Sequence, residues 1–147
     1  MLLIRRFSPT DIPQITSVVK RSLGENYPPS LYLTIYNLWQ DGFMVAQDDG
    51  RIVAFIAAVL SGEKAARVLM LAVHPDNRRR SLGQRLMNEL YANSKARGLD
   101  TIVLEVRKSN KNAIGFYQRQ GFEIFGEIGN FYSNGEDAFK MMKVLLS

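Results

Sequence analysis

The feature that most constrains this chain is ARVLMLAV-HPDNRRR-SLGQRLM, residues 66–87, where an apolar run breaks into a basic turn and restarts with helical spacing. Eight consecutive mostly apolar residues suit a buried strand. Leu82, Leu86 and Leu90 then fall on one helical face, predicting a helix from about Ser81 to Arg97 that closes at Gly98. A strand that feeds a helix through a basic turn aims the helix N-terminus, with its unpaired N–H groups and partial positive charge, at whatever lies beyond the strand end. Such a terminus receives anions, and Ser81 and Gly83 are small enough for close backbone approach. Arg78, Arg79, Arg80 and Arg85 stand ready to add charge-assisted hydrogen bonds to the same anion. The same residues also suit a solvated basic turn with a serine N-cap, and they match neither the P-loop nor the dinucleotide-binding glycine pattern.

The remaining chain reads as one mixed domain over residues 1–147. LLIRRF forms an opening strand, and Ser8-Pro9-Thr10-Asp11 starts a helix that runs to about Ser22. A second helix is expected from Ser30 to Gly42. FMVAQ and RIVAFIAAVL flank Asp-Asp-Gly as a hairpin, TIVLEVR is a strand, residues 110–120 form a helix, and FEIFGEI and AFKMMKVLL make a last hairpin. The expected class is α+β: a single mixed, mostly antiparallel sheet of about seven strands flanked by about four helices.

With no cysteine, thiolate zinc sites and a cysteine nucleophile are excluded, and the one histidine, His74, rules out a multi-histidine metal centre; no metal site is expected. The N-terminus lacks the apolar core of a signal peptide and no apolar run approaches a membrane span, so a soluble cytoplasmic protein is expected. A net charge of +5 suits a phosphate-bearing ligand. In TIVLEVR, Glu105 shares a face with Val103, an acid in an otherwise apolar strand where burial would raise its pKa toward that of a useful base. An exposed glutamate paired with Arg107 or Lys108 is the plainer alternative.

VHPDNRRRSLGQRLM resembles the pyrophosphate-binding signature [QR]-x-x-G-x-[GA] of the GNAT acetyltransferases, with Arg78, Ser81 and Gly83 at its defined positions and serine in place of the first glycine. LEVRKSNKNAIGFYQRQGF resembles the family's second cofactor segment through Asn110, Ala113, Phe116, Tyr117, Gly121 and Phe122. NFYSNGEDAFKMMKVL and the loop GENYP are similar to the substrate-side segments of protein N-terminal acetyltransferases, including the ribosomal-protein and Ard-type enzymes.

The resemblance implies the GNAT fold, acetyl-CoA as cofactor, and direct transfer of acetyl to the α-amine of a protein N-terminus. It implies Glu105 as general base and Tyr117 as general acid. Leu71 and Val73 would meet the acetyl-pantetheine arm through backbone groups where their strand splays from its neighbour. Arg78, Arg79, Arg80, Ser81, Leu82, Gly83, Gln84, Asn110, Ala113 and Tyr117 would hold the cofactor. Glu25, Asn26, Tyr27, Phe131 and Tyr132 would hold the peptide. An auxiliary subunit or ribosome association goes with this branch, as do a monomeric or homodimeric state and no direct nucleic-acid or membrane role. Other readings of the residues are a small-molecule or lysine acetyltransferase, a non-catalytic acetyl-CoA sensor, or a basic nucleic-acid-binding module, whose affinity would fall steeply with salt.

Overall fold

In the computed structural model, which describes residues 1–78 and 80–146, the long apolar run Arg51–Ser61 is buried on both faces and forms the middle of the molecule. The elements in chain order are β1 Leu2–Arg6, α1 Ile12–Leu23, α2 Pro29–Leu38, β2 Phe43–Asp48, β3 Arg51–Ser61, β4 Ala65–Val73, α3 Leu82–Ala96, β5 Thr101–Arg107, α4 Lys111–Arg119, β6 Glu123–Ile128 and β7 Ala138–Val144. One seven-stranded sheet has the order β1-β2-β3-β4-β5-β7-β6. Among the described residues only β4 and β5 pair in parallel, because α3 carries the chain across between them. The expected mixed, mostly antiparallel α+β sheet is the one observed.

Alternation along β3 divides the core. Phe55 and Ala57 pack with Ile15, Val18, Val19, Tyr32 and Ile35 of α1 and α2. Ala54, Ile56 and Ala58 face Leu82, Leu86, Met87 and Leu90 of α3. No helix among the described residues is long and apolar enough to cross a membrane.

Helix α2 departs from the sequence expectation. It begins one residue earlier, with Pro29 in its first turn, and stops at Leu38; Trp39 is extended and Gln40–Gly42 form a 3-10 turn. Gly42 is required for another reason than stopping a helix. A Cβ there would lie 2.5 Å from the Trp39 ring and 2.6 Å from the Ala58 carbonyl oxygen, so glycine lets the turn lie against β3.

The feature that positions the site is a wedge between β4 and β5. Across β3 and β4, Ala57 pairs with Met70 and Ala58 with Val68, leaving Leu69 as an extra residue. That bulge bends β4. Parallel pairing with β5 ends at Val68–Leu104, although β4 continues to Val73 and β5 to Arg107. Among the described residues, the backbone of β4 from Leu69 to Val73 therefore has no strand partner on its β5 side. The splay expected near Leu71 and Val73 is present.

Candidate functional site

Two clefts open at this wedge. One, of about 760 Å³, is lined by Leu71 and Val73 of β4, the turn and first residues of α3, and α4. The other, of about 270 Å³, is lined by Glu25 and Tyr27 before α2, by Glu105 and Arg107 of β5, and by Tyr132 between β6 and β7. Leu23, Leu71, Asn110, Ala113 and Tyr117 line both, so the clefts meet at these residues.

The larger cleft ends on the N-terminus of α3. Ser81 has φ +56° and ψ +28°, the left-handed region, and its hydroxyl does not cap the helix. Ser81 thus stands at the N-cap position without capping through its side chain, and the first amides of α3 are left for another acceptor. Leu82 anchors this turn with its side chain buried in the core. A Cβ on Gly83 would lie 3.3 Å from the Phe116 ring, so a glycine here permits α3 to approach α4 closely. Gln84 donates its side-chain amide to Asn88 and Gln120 at 2.8 and 3.3 Å.

The arginines divide. Arg78 lines the cleft, with a guanidinium nitrogen 3.5 Å from the Ser22 carbonyl. Arg80 does not line it, because Asp48 at the end of β2 holds its guanidinium at 2.6 Å. Arg85 borders a separate cavity with Leu2, Ile4 and Glu89. The expectation that all four would converge on one anion is corrected for Arg80 and Arg85; Arg79 lies outside the described residues.

At the junction, the Asn110 side-chain oxygen accepts from the Ala113 N–H at 3.1 Å and caps α4. Tyr117 packs edge-on to Phe116 and Phe122, with centroids 5.2 and 5.4 Å apart. Burial pushes its phenol up to about 12, so it keeps its proton through the neutral range.

In the smaller cleft, Ile102, Leu104 and Val106 turn into the core and leave Glu105 on the cleft face. Arg67 of β4 donates to Glu105 Oε1 through Nε at 2.8 Å and through a terminal nitrogen at 2.5 Å. The carboxylate is thus ion-paired, and not isolated among apolar neighbours as the strand pattern suggested. Its partner is neither Arg107 nor Lys108. Parallel pairing sets Arg67 against Val103, diagonal to Glu105, a neighbour that no local spacing announces.

Arg107 instead donates to Glu136 at 2.6 Å and to Asn134 at 3.2 Å, and its guanidinium lies 3.9 Å from the Tyr132 ring centroid. Hydrogen bonds from Ser109, Asn134 and Arg107 hold the Glu136 carboxyl down at about 2. This network fixes the β6–β7 loop over the cleft and brings Tyr132 into its wall. Burial first, and then the Glu25 charge, pushes the Tyr27 phenol upward. Two expected substrate-side residues are not brought in: Asn26 is exposed, and Phe131 stands edge-on to Tyr132 outside the lining. Arg67, Arg107 and Glu136 were not singled out from sequence as site residues.

Residues 12–122 match the acetyltransferase (GNAT) family. The chain is 35% identical, over 150 aligned positions, to the N-terminal acetyltransferase B complex catalytic subunit NAA20 of Arabidopsis thaliana, with 99% of this chain and 86% of that protein covered. The crystal structure of Ard1 from Thermoplasma volcanium superposes with a TM-score of 0.95 at 34% identity, covering 99% of both chains. That of Chaetomium thermophilum Naa20 in complex with a bisubstrate analogue does so at 0.88 and 26% identity, covering 97% of this chain and 86% of that one.

Proposed function

The chain belongs to the acetyltransferase (GNAT) family, and from that premise we propose how its two clefts transfer an acetyl group from acetyl-CoA to the α-amine of a protein or peptide N-terminus. It is an N-acetyltransferase with acetyl-CoA as its donor. The observation that carries the assignment of the clefts is their meeting at Tyr117 inside the β4–β5 wedge, one ending on a helix N-terminus and the other walled by carboxylates and tyrosines. The acceptor is supported by relatives named as N-terminal acetyltransferases and by the likeness to a structure holding a bisubstrate analogue. The matched residues and the strands outside them, β1, β6 and β7, share one sheet, which supports a single catalytic domain.

The residues of the larger cleft suit acetyl-CoA. The uncapped amides of Leu82, Gly83 and Gln84, with Ser81 and Arg78, offer donors to a pyrophosphate. The unpartnered backbone around Leu71 and Val73 offers amide groups to the pantetheine arm, and Asn110 and Ala113 line its path. When bound, acetyl-CoA supplies a thioester carbonyl open to direct attack by an amine. Glu25 and Tyr27 draw the acceptor ammonium into the smaller cleft, with Tyr132 as the opposite wall. Glu105 accepts a proton from the amine, through water, as the new amide C–N bond forms and the C–S bond breaks, and Tyr117 Oη donates a proton at the junction to the departing CoA thiolate. No thiol nucleophile is available, in keeping with direct transfer.

A named relative is a subunit of a complex, which supports an auxiliary partner for this chain too. Nascent protein N-termini as substrates go with a cytoplasmic location.

Incubation with acetyl-CoA and a peptide carrying both a free N-terminus and an internal lysine, followed by fragmentation mass spectrometry, tests the acceptor. Acetyl on the α-amine is expected. Acetyl on the lysine alone would overturn the N-terminal assignment.

A further inference from the structure

We propose that Arg67 is a positioning residue: by gripping one oxygen of Glu105 it holds the other turned to the acceptor amine. The inference rests on the reading of Glu105 as the base. An arginine that meets a carboxylate fork to fork places one N–H on each oxygen. Here both Nε and a terminal nitrogen donate to Oε1, at 2.8 and 2.5 Å, and among the described residues no side chain or backbone group donates to Oε2. The arrangement leaves Oε2 with its lone pairs open while the carboxylate as a whole cannot rotate.

Strand pairing fixes where Arg67 stands. It sits opposite Val103, one rung before β4 and β5 part, so its side chain crosses the base of the wedge. The Glu105 side chain is 12% exposed and that of Arg67 38%, so the guanidinium reaches in from the rim onto a nearly enclosed carboxylate. Other charged and titratable groups surround Glu105. Lys140 of β7 is its cross-strand partner, Arg107 lies two residues along β5 and is occupied by Glu136, and Glu25, Tyr27, Tyr117 and Tyr132 line the same cleft. Among the described residues, only Arg67 hydrogen-bonds the carboxylate.

The two-donor grip sets the direction of the carboxylate. Measuring kcat and KM for the full chain and its Arg67→Gln, Arg67→Lys and Glu105→Gln variants, with acetyl-CoA affinity and melting temperature recorded for each, tests this role. Arg67→Gln should lower kcat roughly tenfold or more. Acetyl-CoA affinity should stay unchanged. Arg67→Lys keeps the charge but lacks the fork, and should recover little of kcat.

If Glu105→Gln is nearly inactive while Arg67→Gln keeps the wild-type kcat, the inference is wrong and the base assignment stands. If Glu105→Gln turns over as the wild type does, the base assignment itself fails and the role of Arg67 falls with it. Loss of kcat in Arg67→Gln accompanied by an equal loss of acetyl-CoA affinity and a collapsed melting temperature would show a structural role only, and would also overturn the inference.

Discussion

Glu105→Gln is expected to lower turnover about a hundredfold or more at neutral pH, the usual contribution of a positioned base, with acetyl-CoA affinity held within about twofold. Glutamine matches the volume of glutamate, and its side-chain oxygen can still accept from Arg67, so the β4–β5 contact and the fold survive. What is lost is the capacity to take a proton. Glu105 lines the smaller cleft and not the larger one, so donor binding has no reason to change. Calorimetric titration with acetyl-CoA and steady-state rates with a saturating peptide separate the two quantities. Unchanged turnover would remove Glu105 as the base.

The second large effect is expected at the other end of the site. Ser81→Glu should weaken acetyl-CoA binding on the order of a hundredfold, while kcat at saturating donor stays near the wild-type value. Two unit charges about 4 Å apart near a protein surface repel by about 4 kcal/mol, and part of this is relieved by side-chain motion. About 2.7 kcal/mol remaining corresponds to a factor of about a hundred in affinity. The contrasting change is Ser81→Gly. Ser81 holds φ +56°, where residues with a Cβ pay roughly 1–2 kcal/mol and glycine pays little. Ser81→Gly should therefore raise the melting temperature and leave donor affinity at least as tight. Binding of acetyl-CoA by Ser81→Glu with wild-type affinity would show that the pyrophosphate does not lie on the α3 terminus.

The left-handed serine also shows what could be read in advance. The motif spacing located Ser81 in the turn, and the requirement for glycine in related sequences was legible, but that serine adopts the glycine conformation was not. Local chemistry was read well elsewhere. Asp49 and Gly50 both have positive φ, at +50° and +82°, as the hairpin turn between β2 and β3 required. The apolar spacing of Leu82, Leu86 and Leu90 gave α3 its buried face, and Asn110, where a helix was expected to start, caps α4.

The misread features share one cause, which is that each depends on a contact far along the chain. Gly42 looked like a helix stop because its real constraint, the Ala58 carbonyl, lies across a strand. Arg80 looked free because Asp48 meets it only after the sheet has formed. Glu105 looked isolated because Arg67, 38 residues earlier, is brought beside it by parallel pairing. The Leu69 bulge, which opens the whole site, leaves no mark in an unbroken apolar run. Phe131 and Tyr132 are adjacent in sequence, yet the Arg107–Glu136 network brings only Tyr132 into the cleft wall.

As proposed, the two joined clefts transfer acetyl from acetyl-CoA to a protein α-amine. The most direct measurement is acetyl-CoA-dependent release of free thiol against short peptides that differ in their first residue, beside an internal-lysine peptide with a blocked N-terminus and a polyamine. Turnover that varies with the first peptide residue and is weak with the blocked peptide and the polyamine is the predicted result. Turnover with the polyamine alone, or saturable acetyl-CoA binding with no turnover of any free N-terminus, would contradict it.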